Sequence, residues 1–417
     1  MIEMSDHELI ELTSPKPTAM IKVVGVGGGG SNAVANMYQM GLHDVSFCVV
    51  NTDQKHLQES PIKEKVQLGP GLGAGGNPDI GRQYAENEIE KIQAIFNPEV
   101  KMVFITAGEG NGTGTGVSPV IAREARKAGL LTIGVVTLPF KFEGRRKIDK
   151  ALLGMETLAA ETDAIIVINN ERLREIFTTQ SLIGGFRCAD ETLYKAVKSI
   201  VEITFMRGHV MLDFRDVSTV LRDGGVAIMA QGYAKGEHRL SKAIEEALNS
   251  PILNNNNVFL ASKVVIKIST SPNKDEQITM DEMGELNAFF SNFRPDLFIK
   301  YGLEVDREME DGVKVVILAS GFGLYDETVR HHEPTLLTDR EIQQNERISR
   351  FYPTKNQGRI RHVIRHYIFS TDDLDNDLVV TEVDATPTLR RTQAELKNIK
   401  QLAVPTTATT VDLTDPI

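Results

Sequence analysis

Residues 101–116 constrain this chain most, because an apolar run there opens abruptly into a stretch rich in glycine and threonine. The run at 102–106 is typical of a buried β-strand, and the residues after it cannot continue the strand. A glycine-rich loop can aim successive backbone N–H groups at one anion. The helix expected over 117–125 would add the positive end of its dipole. The pattern predicts a phosphate-binding loop, with a flexible surface loop as the alternative.

A second glycine-rich segment, residues 21–32, repeats the arrangement with a short apolar strand, four consecutive glycines and a helix predicted over 33–40. By itself, the G-x-G-x-x-G pattern at 25–30 matches dinucleotide-binding folds, so a nicotinamide-dependent oxidoreductase is one alternative. A dinucleotide fold needs only one such loop, however, and no glycine run here is followed by the Lys-Ser or Lys-Thr of a P-loop. The sequence therefore predicts a phosphate cradle made of backbone amides and helix ends.

Strand-like and helical segments alternate from residue 20 to about 187, which predicts an α/β fold with a Rossmann-like, doubly wound parallel sheet. A long amphipathic helix is expected over 189–206, because apolar residues recur along it at helical spacing. The residues of its buried stripe would be Leu193, Ala196, Val197, Ile200 and Val201. Strand candidates after residue 226, with 258–260 among them, surround a helix predicted over 280–291. This part is expected to be a smaller α+β domain.

Several segments resemble, in order along the chain, motifs of the tubulin/FtsZ family of GTPases. Residues 108–116, GEGNGTGTG, are similar to the family's signature loop. The other segments are GVGGGGSNAV at 25–34, VVNTD at 49–53, GLGAGGNP at 71–78, TLPFKFEG at 137–144 and LDFRDV at 212–217. The resemblance implies a divergent member that binds and hydrolyses GTP, polymerises head to tail and builds the bacterial division ring. It also implies a GTP-binding domain at 20–187, a central helix and catalytic loop at 188–225, and a C-terminal domain at 226–323.

The resemblance assigns residues to a nucleotide site with GTP as its substrate. The phosphates would be bound by Gly28, Gly29, Gly30, Ser31 and Asn32 in the first loop and by Gly110, Gly112, Thr113, Gly114, Thr115 and Gly116 in the second. Mg²⁺ is expected to accompany the phosphates, held mostly by nucleotide oxygens and water. The sequence predicts no set of protein metal ligands.

Four further residues would contact the nucleoside. Glu143 matches a ribose-contacting glutamate, and Lys147 stands where the family usually has an arginine that contacts the nucleotide. Phe186 would stack on guanine, and Asp190 would accept hydrogen bonds from the guanine N1–H and amino group. Adenine lacks those donors, so the pairing favours GTP over ATP. The alternatives are a buried core phenylalanine and a helix-start aspartate.

Asp213 and Asp216 are the candidates for the chemical step, because hydrolysis requires a group that orients or polarises water in line with the γ-phosphate. By resemblance, these carboxylates act on the GTP of the next subunit, so the active site would be complete only in a filament. The same spacing fits an N-cap and a capping box for a helix over 214–222. The two roles are compatible.

Several residues depart from the family pattern near the site. Asn111 replaces a glycine, and its turn would survive because asparagine tolerates left-handed backbone conformations. Glu109 stands where an apolar residue is usual and adds charge beside the phosphates. Met211 replaces a polar asparagine, and the stretch at 68–71 is about four residues shorter than usual. Together with Lys147, these changes motivate an alternative function: a scaffold paralogue that polymerises with GTP but hardly hydrolyses it.

Composition and the chain ends bear on location and partners. A net charge of −11 and 41% hydrophobic residues suit a cytoplasmic globular protein and argue against nucleic acid as a partner. Neither a signal peptide nor a membrane-spanning run is recognisable. Residues 1–19 are expected to be a loose extension, and 324–417 a disordered linker and tail. The segment 383–391 resembles the family's peptide that docks onto membrane-tethering division proteins at the midcell ring, with a plain linker as the alternative.

Overall fold

The computed structural model describes residues 19–179, 181–206, 208–249, 258–273, 277–294, 296–322, 348, 351 and 376–385. The chain divides into two compact units, residues 1–352 and 353–417. The strands are β1 Ile21–Val26, β2 Val45–Asn51, β3 Glu64–Gln67, β4 Met102–Gly108, β5 Leu131–Leu138, β6 Ala164–Asn169, β7 Gly225–Ala234, β8 Lys263–Thr270, β9 Phe298–Val305 and β10 Val313–Phe322.

Helices account for most of the remaining described residues. Those of the first unit are α1 Gly27–Gln39, α2 Gln54–Glu59, α3 Pro78–Asn87, α4 Ile89–Gln93, α5 Gly112–Lys127, α6 Arg145–Glu161, α7 Asn170–Ile176, α8 Leu182–Thr204, α9 Phe214–Leu221, α10 Arg239–Leu248 and α11 Met280–Phe290. Two short 3₁₀ turns occupy Lys141–Glu143 and Val258–Leu260. In the second unit, Asp377–Ala385 forms helix α12, in a stretch where the charge blocks predict little order.

The ten strands form one sheet in the order β3-β2-β1-β4-β5-β6-β7-β10-β8-β9. Strands β1 to β7 run parallel, and β10 is antiparallel to both of its neighbours. The order reverses between β1 and β4, and Val26 pairs there with Ala107. In open α/β sheets, ligands bind outside the carboxyl ends of the strands at such a reversal. The predicted parallel sheet is confirmed, and its topology places both glycine-rich segments at this point.

The long helix α8 packs its apolar stripe onto the sheet. All five residues predicted for this stripe are buried, in one core cluster with residues of α1, α9, β1 and β5. The helix begins at Leu182, seven residues earlier than predicted, because the Ser181 side chain accepts a hydrogen bond from the Gly184 N–H and caps it. This early start carries Phe186 and Asp190 into the helix interior.

The part of the sheet from β7 to β10 has a core of its own, formed with α10 and α11. In the sheet, β7 pairs with β6 at two positions of the described residues, Ala164–Gly225 and Ile165–Val226. The strand predicted at 258–260 is wrong, since these residues form a 3₁₀ turn. Phe259 there packs against Phe293 of the segment after α11. Three residues give too short a pattern to distinguish a strand from a buried turn.

Within the described residues, no helix has the length and apolar character needed to cross a bilayer.

Candidate nucleotide-binding site

The two glycine-rich segments are the first turns of helices rather than loops that precede helices. Helix α1 begins at Gly27, directly after β1, and α5 begins at Gly112, four residues after β4. The chain turns sharply at Gly27 and Gly110, whose φ angles are +69° and +100°. The first N–H groups of a helix have no partner within it. Both helix starts therefore present hydrogen-bond donors and positive dipole ends at the carboxyl ends of the parallel strands.

The two helix starts lie against each other, as a phosphate cradle requires. A Cβ added at Gly27 would come within 2.8 Å of the Gly114 backbone nitrogen. One added at Gly30 would lie 2.2 Å from the Thr106 carbonyl oxygen, and one at Gly114 would lie 2.7 Å from the Gly108 carbonyl oxygen. Any side chain at these positions would therefore push the helices and strands apart. Gly28 and Gly29 are exposed, whereas Gly30, Ser31, Gly112, Gly114, Thr115 and Gly116 are buried.

Hydroxyl groups fix the second helix start. The Thr115 hydroxyl accepts a hydrogen bond from the Gly110 N–H at 2.8 Å, and the Thr113 and Thr52 hydroxyl oxygens are 2.6 Å apart. Asn111 is the N-cap residue of α5 and has an extended backbone with φ of −103°. The expectation of a left-handed Asn111 is therefore wrong. Gly110 takes the positive φ, so the Asn111 substitution adds no backbone strain.

A cleft opens beside the two helix starts and brings together the four predicted nucleoside contacts. The described residues that line it are Gly29, Asn32, Gly108, Glu109, Asn111, Thr137, Pro139, Glu143, Lys147, Asn170, Phe186, Ala189, Asp190 and Leu193. They come from the carboxyl ends of β4, β5 and β6 and from the helices beside them. The first glycine segment and all four candidate nucleoside contacts thus share one cavity.

Glu143 and Lys147 face each other in this cleft. The Lys147 Nζ lies 2.5 Å from the Glu143 Oε2, and the other carboxylate oxygen accepts the Phe140 N–H at 2.8 Å. Glu143 is therefore fixed by two contacts before any ligand arrives. The charge of Lys147 is largely neutralised by its partner, which leaves little cationic charge for a triphosphate.

Phe186 and Asp190 lie one helical turn apart on α8. Phe186 is 43% exposed and its ring lies perpendicular to that of Phe140, with ring centroids 5.2 Å apart, so it is not a buried core residue. Asp190 lies within the helix and is not a helix-start residue. Burial, and then the neighbouring charge of Glu191, raise the pKa of Asp190 to about 6.

Glu109 is buried beneath the second helix start. It is 2% exposed, and neither carboxylate oxygen has a hydrogen-bond partner of normal geometry among the described residues. A Cβ added at Gly154 of α6 would lie 2.4 Å from its Oε2 and 2.2 Å from the Thr115 methyl carbon, so α6 approaches closely because Gly154 lacks a side chain. Desolvation raises the pKa of this carboxyl to about 7, partly offset by the Thr115 hydroxyl.

Asp213 and Asp216 form the expected reciprocal cap of α9, far from the cleft. The Asp213 side chain accepts the Asp216 N–H at 3.0 Å, and the Asp216 Oδ2 accepts the Asp213 N–H at 3.2 Å. The Asp216 Oδ1 lies 3.3 Å from the Lys300 Nζ on β9. In the sheet, β9 is four strands away from β6, whose end carries Asn170 of the cleft. Helix α8 extends about 21 Å from Asp190 to Thr204. A Cβ added at Gly302 would lie 2.7 Å from both Met206, just after α8, and Leu212, next to Asp213, so the acidic pair lies at the end of α8 away from the cleft of its own subunit.

Two polar residues near the site were not predicted. His56 of α2 approaches the first helix start, and Lys300 pairs with Asp216. Neither belongs to a recognisable motif. Strand and helix packing bring each to its position, so the sequence contains no local signal for them. Within the described residues, no three His, Cys, Asp or Glu side chains are grouped as metal ligands would be.

Comparisons with known proteins agree with this geometry. Residues 20–178 match the profile of the tubulin/FtsZ family GTPase domain, 225–323 that of the FtsZ family C-terminal domain, and 361–406 that of a further FtsZ C-terminal segment. The cell division protein FtsZ of Porphyromonas gingivalis is 40% identical over 406 residues, which cover 92% of this chain and 88% of that protein. FtsZ of Aquifex aeolicus is 40% identical over 72% of this chain and 83% of its own length.

A solved structure of an FtsZ dimer from M. jannaschii superposes with a TM-score of 0.64. It is 37% identical in sequence and covers 74% of this chain and 90% of that one. The matching profiles, the identity over most of the chain and the shared fold agree, and they replace the oxidoreductase alternative that the first glycine segment left open. The chain therefore belongs to the tubulin/FtsZ family of GTPases.

Proposed function

We propose that this chain is a filament-forming GTPase of cell division whose active site is shared between adjacent subunits. The cleft would hold GTP, and Asp213 and Asp216 would act on the GTP of the neighbouring subunit. The observation that carries this proposal is that neither aspartate lines the cleft, and that both follow the far end of α8, which extends about 21 Å from Asp190 to Thr204. A carboxylate must reach the attacking water within hydrogen-bond distance, and only a second copy can bring it there.

The phosphates would be bound by the free N–H groups at the starts of α1 and α5, without a P-loop lysine. Phe186 would stack on the base, Asp190 would accept from its two donors, and Glu143 would contact the ribose. The carboxylates of Asp213 and Asp216 would orient the water, held still by their mutual cap and by the ion pair of Asp216 with Lys300. Preorganised groups of this kind lower the barrier without rearranging during the reaction.

Magnesium fits this site as an ion carried by the nucleotide. The described residues provide no cluster of three ligating side chains, and Mg²⁺ is usually held by phosphate oxygens, water and one or two carboxylates. When bound, the ion would neutralise charge on the β- and γ-phosphates. The residues of the chain would orient the phosphates through backbone N–H groups.

The shared site makes turnover depend on assembly. GTP hydrolysis per subunit is expected to be negligible at low protein concentration and to rise steeply above the concentration at which sedimenting filaments appear. Phosphate release and sedimentation should be measured in parallel over the same dilution series. A constant turnover per subunit down to the lowest concentrations would rule out the shared site, because an isolated subunit would then be a complete enzyme.

Guanine recognition by Asp190 predicts a pH dependence of binding. The carboxylate accepts two hydrogen bonds only when ionised, and its pKa in the free protein is about 6. GTP affinity is therefore expected to be constant above pH 7 and to fall about tenfold by pH 5, where roughly one molecule in ten is ionised. Asp190→Asn should bind weakly at both pH values, and its affinity should not vary between them. An equal pH response in wild type and Asp190→Asn, measured by titration with a fluorescent GTP analogue, would contradict this role.

The second candidate is a GTP-dependent scaffold with little hydrolysis. Two observations favour it: Met211, next to the acidic pair, is 67% exposed and offers no polar group, and Lys147 is engaged with Glu143. A scaffold would assemble with GTP yet release phosphate far more slowly than its filaments exchange. Phosphate release by preformed filaments at an ordinary enzymatic rate, on the order of 1 per second or faster, would exclude it.

The proposed partners are further copies of the chain and membrane-tethering division proteins, and the proposed location is the cytoplasmic side of the midcell ring. The names of the curated relatives support a role in division. In the docking peptide proposed at 383–391, residues 386–391 lie outside the described part. Residues 383–385 end helix α12, on which Leu378 and Val380 are exposed apolar side chains. An apolar helical segment suits a groove on a partner.

A further inference from the structure

The cleft itself supplies little positive charge for a triphosphate. Among the described residues that line it, Lys147 is the one basic side chain, and it is paired with Glu143. Glu109 and Asp190 add two further carboxyl groups to the same lining. Helix starts compensate part of the phosphate charge. A side-chain donor close to the glycine turns would compensate more.

His56 is placed to be such a donor. Its Nε2 lies 3.7 Å from where a Cβ on Gly28 would stand, and apart from the adjoining backbone of α1 no other atom of the described residues comes within 4 Å of that point. Gly28 belongs to the first turn of α1 and is exposed. The other ring nitrogen of His56, Nδ1, is buried and has no hydrogen-bond partner among the described residues. The imidazole therefore meets the phosphate-binding turn through Nε2.

Helix α2 is held firmly beside both glycine turns. The Thr52 hydroxyl, just before the helix, contacts the Thr113 hydroxyl of α5 at 2.6 Å. The Gln54 N–H donates to the Gly71 carbonyl at 3.0 Å, and the Asp53 carboxylate accepts the His56 N–H at 3.2 Å. These contacts fix the helix that carries His56 before any ligand binds. A preorganised donor loses little conformational entropy on binding.

The strand order indicates which phosphate His56 would meet. Glu143 follows β5 and Asn170 follows β6, so the nucleoside end of the cleft lies over these strands. The glycine turns follow β1 and β4, and α2 follows β2. From β5 to β2 is three strand spacings, about 14 Å. A nucleotide laid across the sheet from the base toward α2 would bring its last phosphate nearest to His56.

We propose that His56 is a further phosphate-binding residue, whose Nε2–H donates to the terminal phosphate of the bound nucleotide and so favours triphosphate over diphosphate. The inference rests on the proposed function, since it assumes that GTP occupies the cleft. It assigns to α2 a role that the glycine turns cannot fill, because their backbone N–H groups bind phosphates without distinguishing the last one from the others.

The test is to measure the affinities of a non-hydrolysable GTP analogue and of GDP below the assembly concentration. His56→Ala is expected to weaken binding of the analogue about tenfold and to change GDP affinity less than about twofold. His56→Gln keeps a side-chain N–H and should retain part of the preference. In ³¹P spectra of the bound analogue, His56→Ala should shift the γ-phosphate resonance and leave the α-phosphate resonance in place.

His43→Ala is the matched control. The His43 Nε2 also lies 3.7 Å from where a Cβ on a glycine, Gly41, would stand. This pair, however, is in the turn between α1 and β2, at the amino end of β2 and away from the cleft. This variant should change neither affinity. If His56→Ala weakened the binding of the analogue and of GDP equally, His56 would only support α2. If neither affinity changed, His56 would make no contact with the nucleotide. Either result overturns the inference. Failure of the wild-type protein to bind either nucleotide would refute the proposed function as well.

Discussion

Asp216→Asn is expected to slow GTP hydrolysis by filaments about 100-fold or more, since removal of a positioned general base or water-orienting group usually costs that much. GTP affinity should not change, because the residue lies far from the cleft of its own subunit. The amide oxygen of asparagine can still accept the Asp213 N–H, so the cap of α9 should persist. Phosphate release from assembled protein, nucleotide affinity and thermal unfolding should be measured on the same preparation.

Asp223→Asn is the matched control for this variant. Asp223 lies just beyond the end of α9, is exposed, and pairs with Arg126 at 3.4 Å. Its φ is +49°, a conformation that asparagine also adopts readily. The same change of chemistry on the same segment should leave turnover within about twofold, as is usual for an exposed ion pair. If Asp216→Asn hydrolysed GTP as fast as Asp223→Asn, the acidic pair would be a helix cap and nothing more.

Glu109→Met is expected to raise the free energy of unfolding by about 3 kcal/mol at pH 8 and by less than about 1 kcal/mol at pH 5. The pKa of Glu109 is about 7 in the folded protein, compared with an ordinary value of 4.5 for a glutamate. Because the folded state binds this proton more tightly, the contribution of Glu109 to stability is most favourable below about pH 4.5 and is lost as the pH rises to about 7. Above that range the buried carboxylate is charged and unpartnered. Methionine has a similar length and removes the cost of desolvating that charge.

Glu124→Met provides a control of opposite sign. Glu124 is also buried, but it accepts hydrogen bonds from Lys127 at 2.7 Å and Gln93 at 2.8 Å. Removing this carboxylate loses its charge-assisted hydrogen bonds, so this variant should be less stable at pH 8. The stabilities of the wild type, Glu109→Met and Glu124→Met should be compared by thermal unfolding at pH 5 and pH 8. The protein should be GDP-bound and kept below the assembly concentration. An equal gain for Glu109→Met at both pH values would show that its carboxyl is neutral throughout.

Much of the site could be predicted because short motifs encode it locally. The glycines within 27–30 and 110–116 indicate where backbone N–H groups converge, and side chains at Gly27, Gly30 and Gly114 would collide with neighbouring backbone atoms. The aspartates at 213 and 216 were predicted both as a cap and as catalytic groups. The cap is confirmed by two reciprocal hydrogen bonds, whereas the catalytic role stays a prediction.

Other features could not be predicted, because they depend on distant parts of the chain. The burial of Glu109 depends on how closely α6 approaches, which Gly154 permits from 45 positions further along the sequence. The pairing of Lys300 with Asp216 depends on the register of β9 beside β8. The short apolar segment at 258–260 carried no period long enough to identify its 3₁₀ turn.

The sequence by itself determined the parallel sheet, the buried stripe of α8 and the two glycine turns, because each is written in residue types at fixed local spacing. Only the tertiary structure decided which turns meet, that His56 stands over Gly28, and that the acidic pair lies beyond reach of its own cleft. Those relations are set by strand order and helix packing. Contacts between residues far apart in the chain depend on how whole layers pack together, and no local pattern of residues records that.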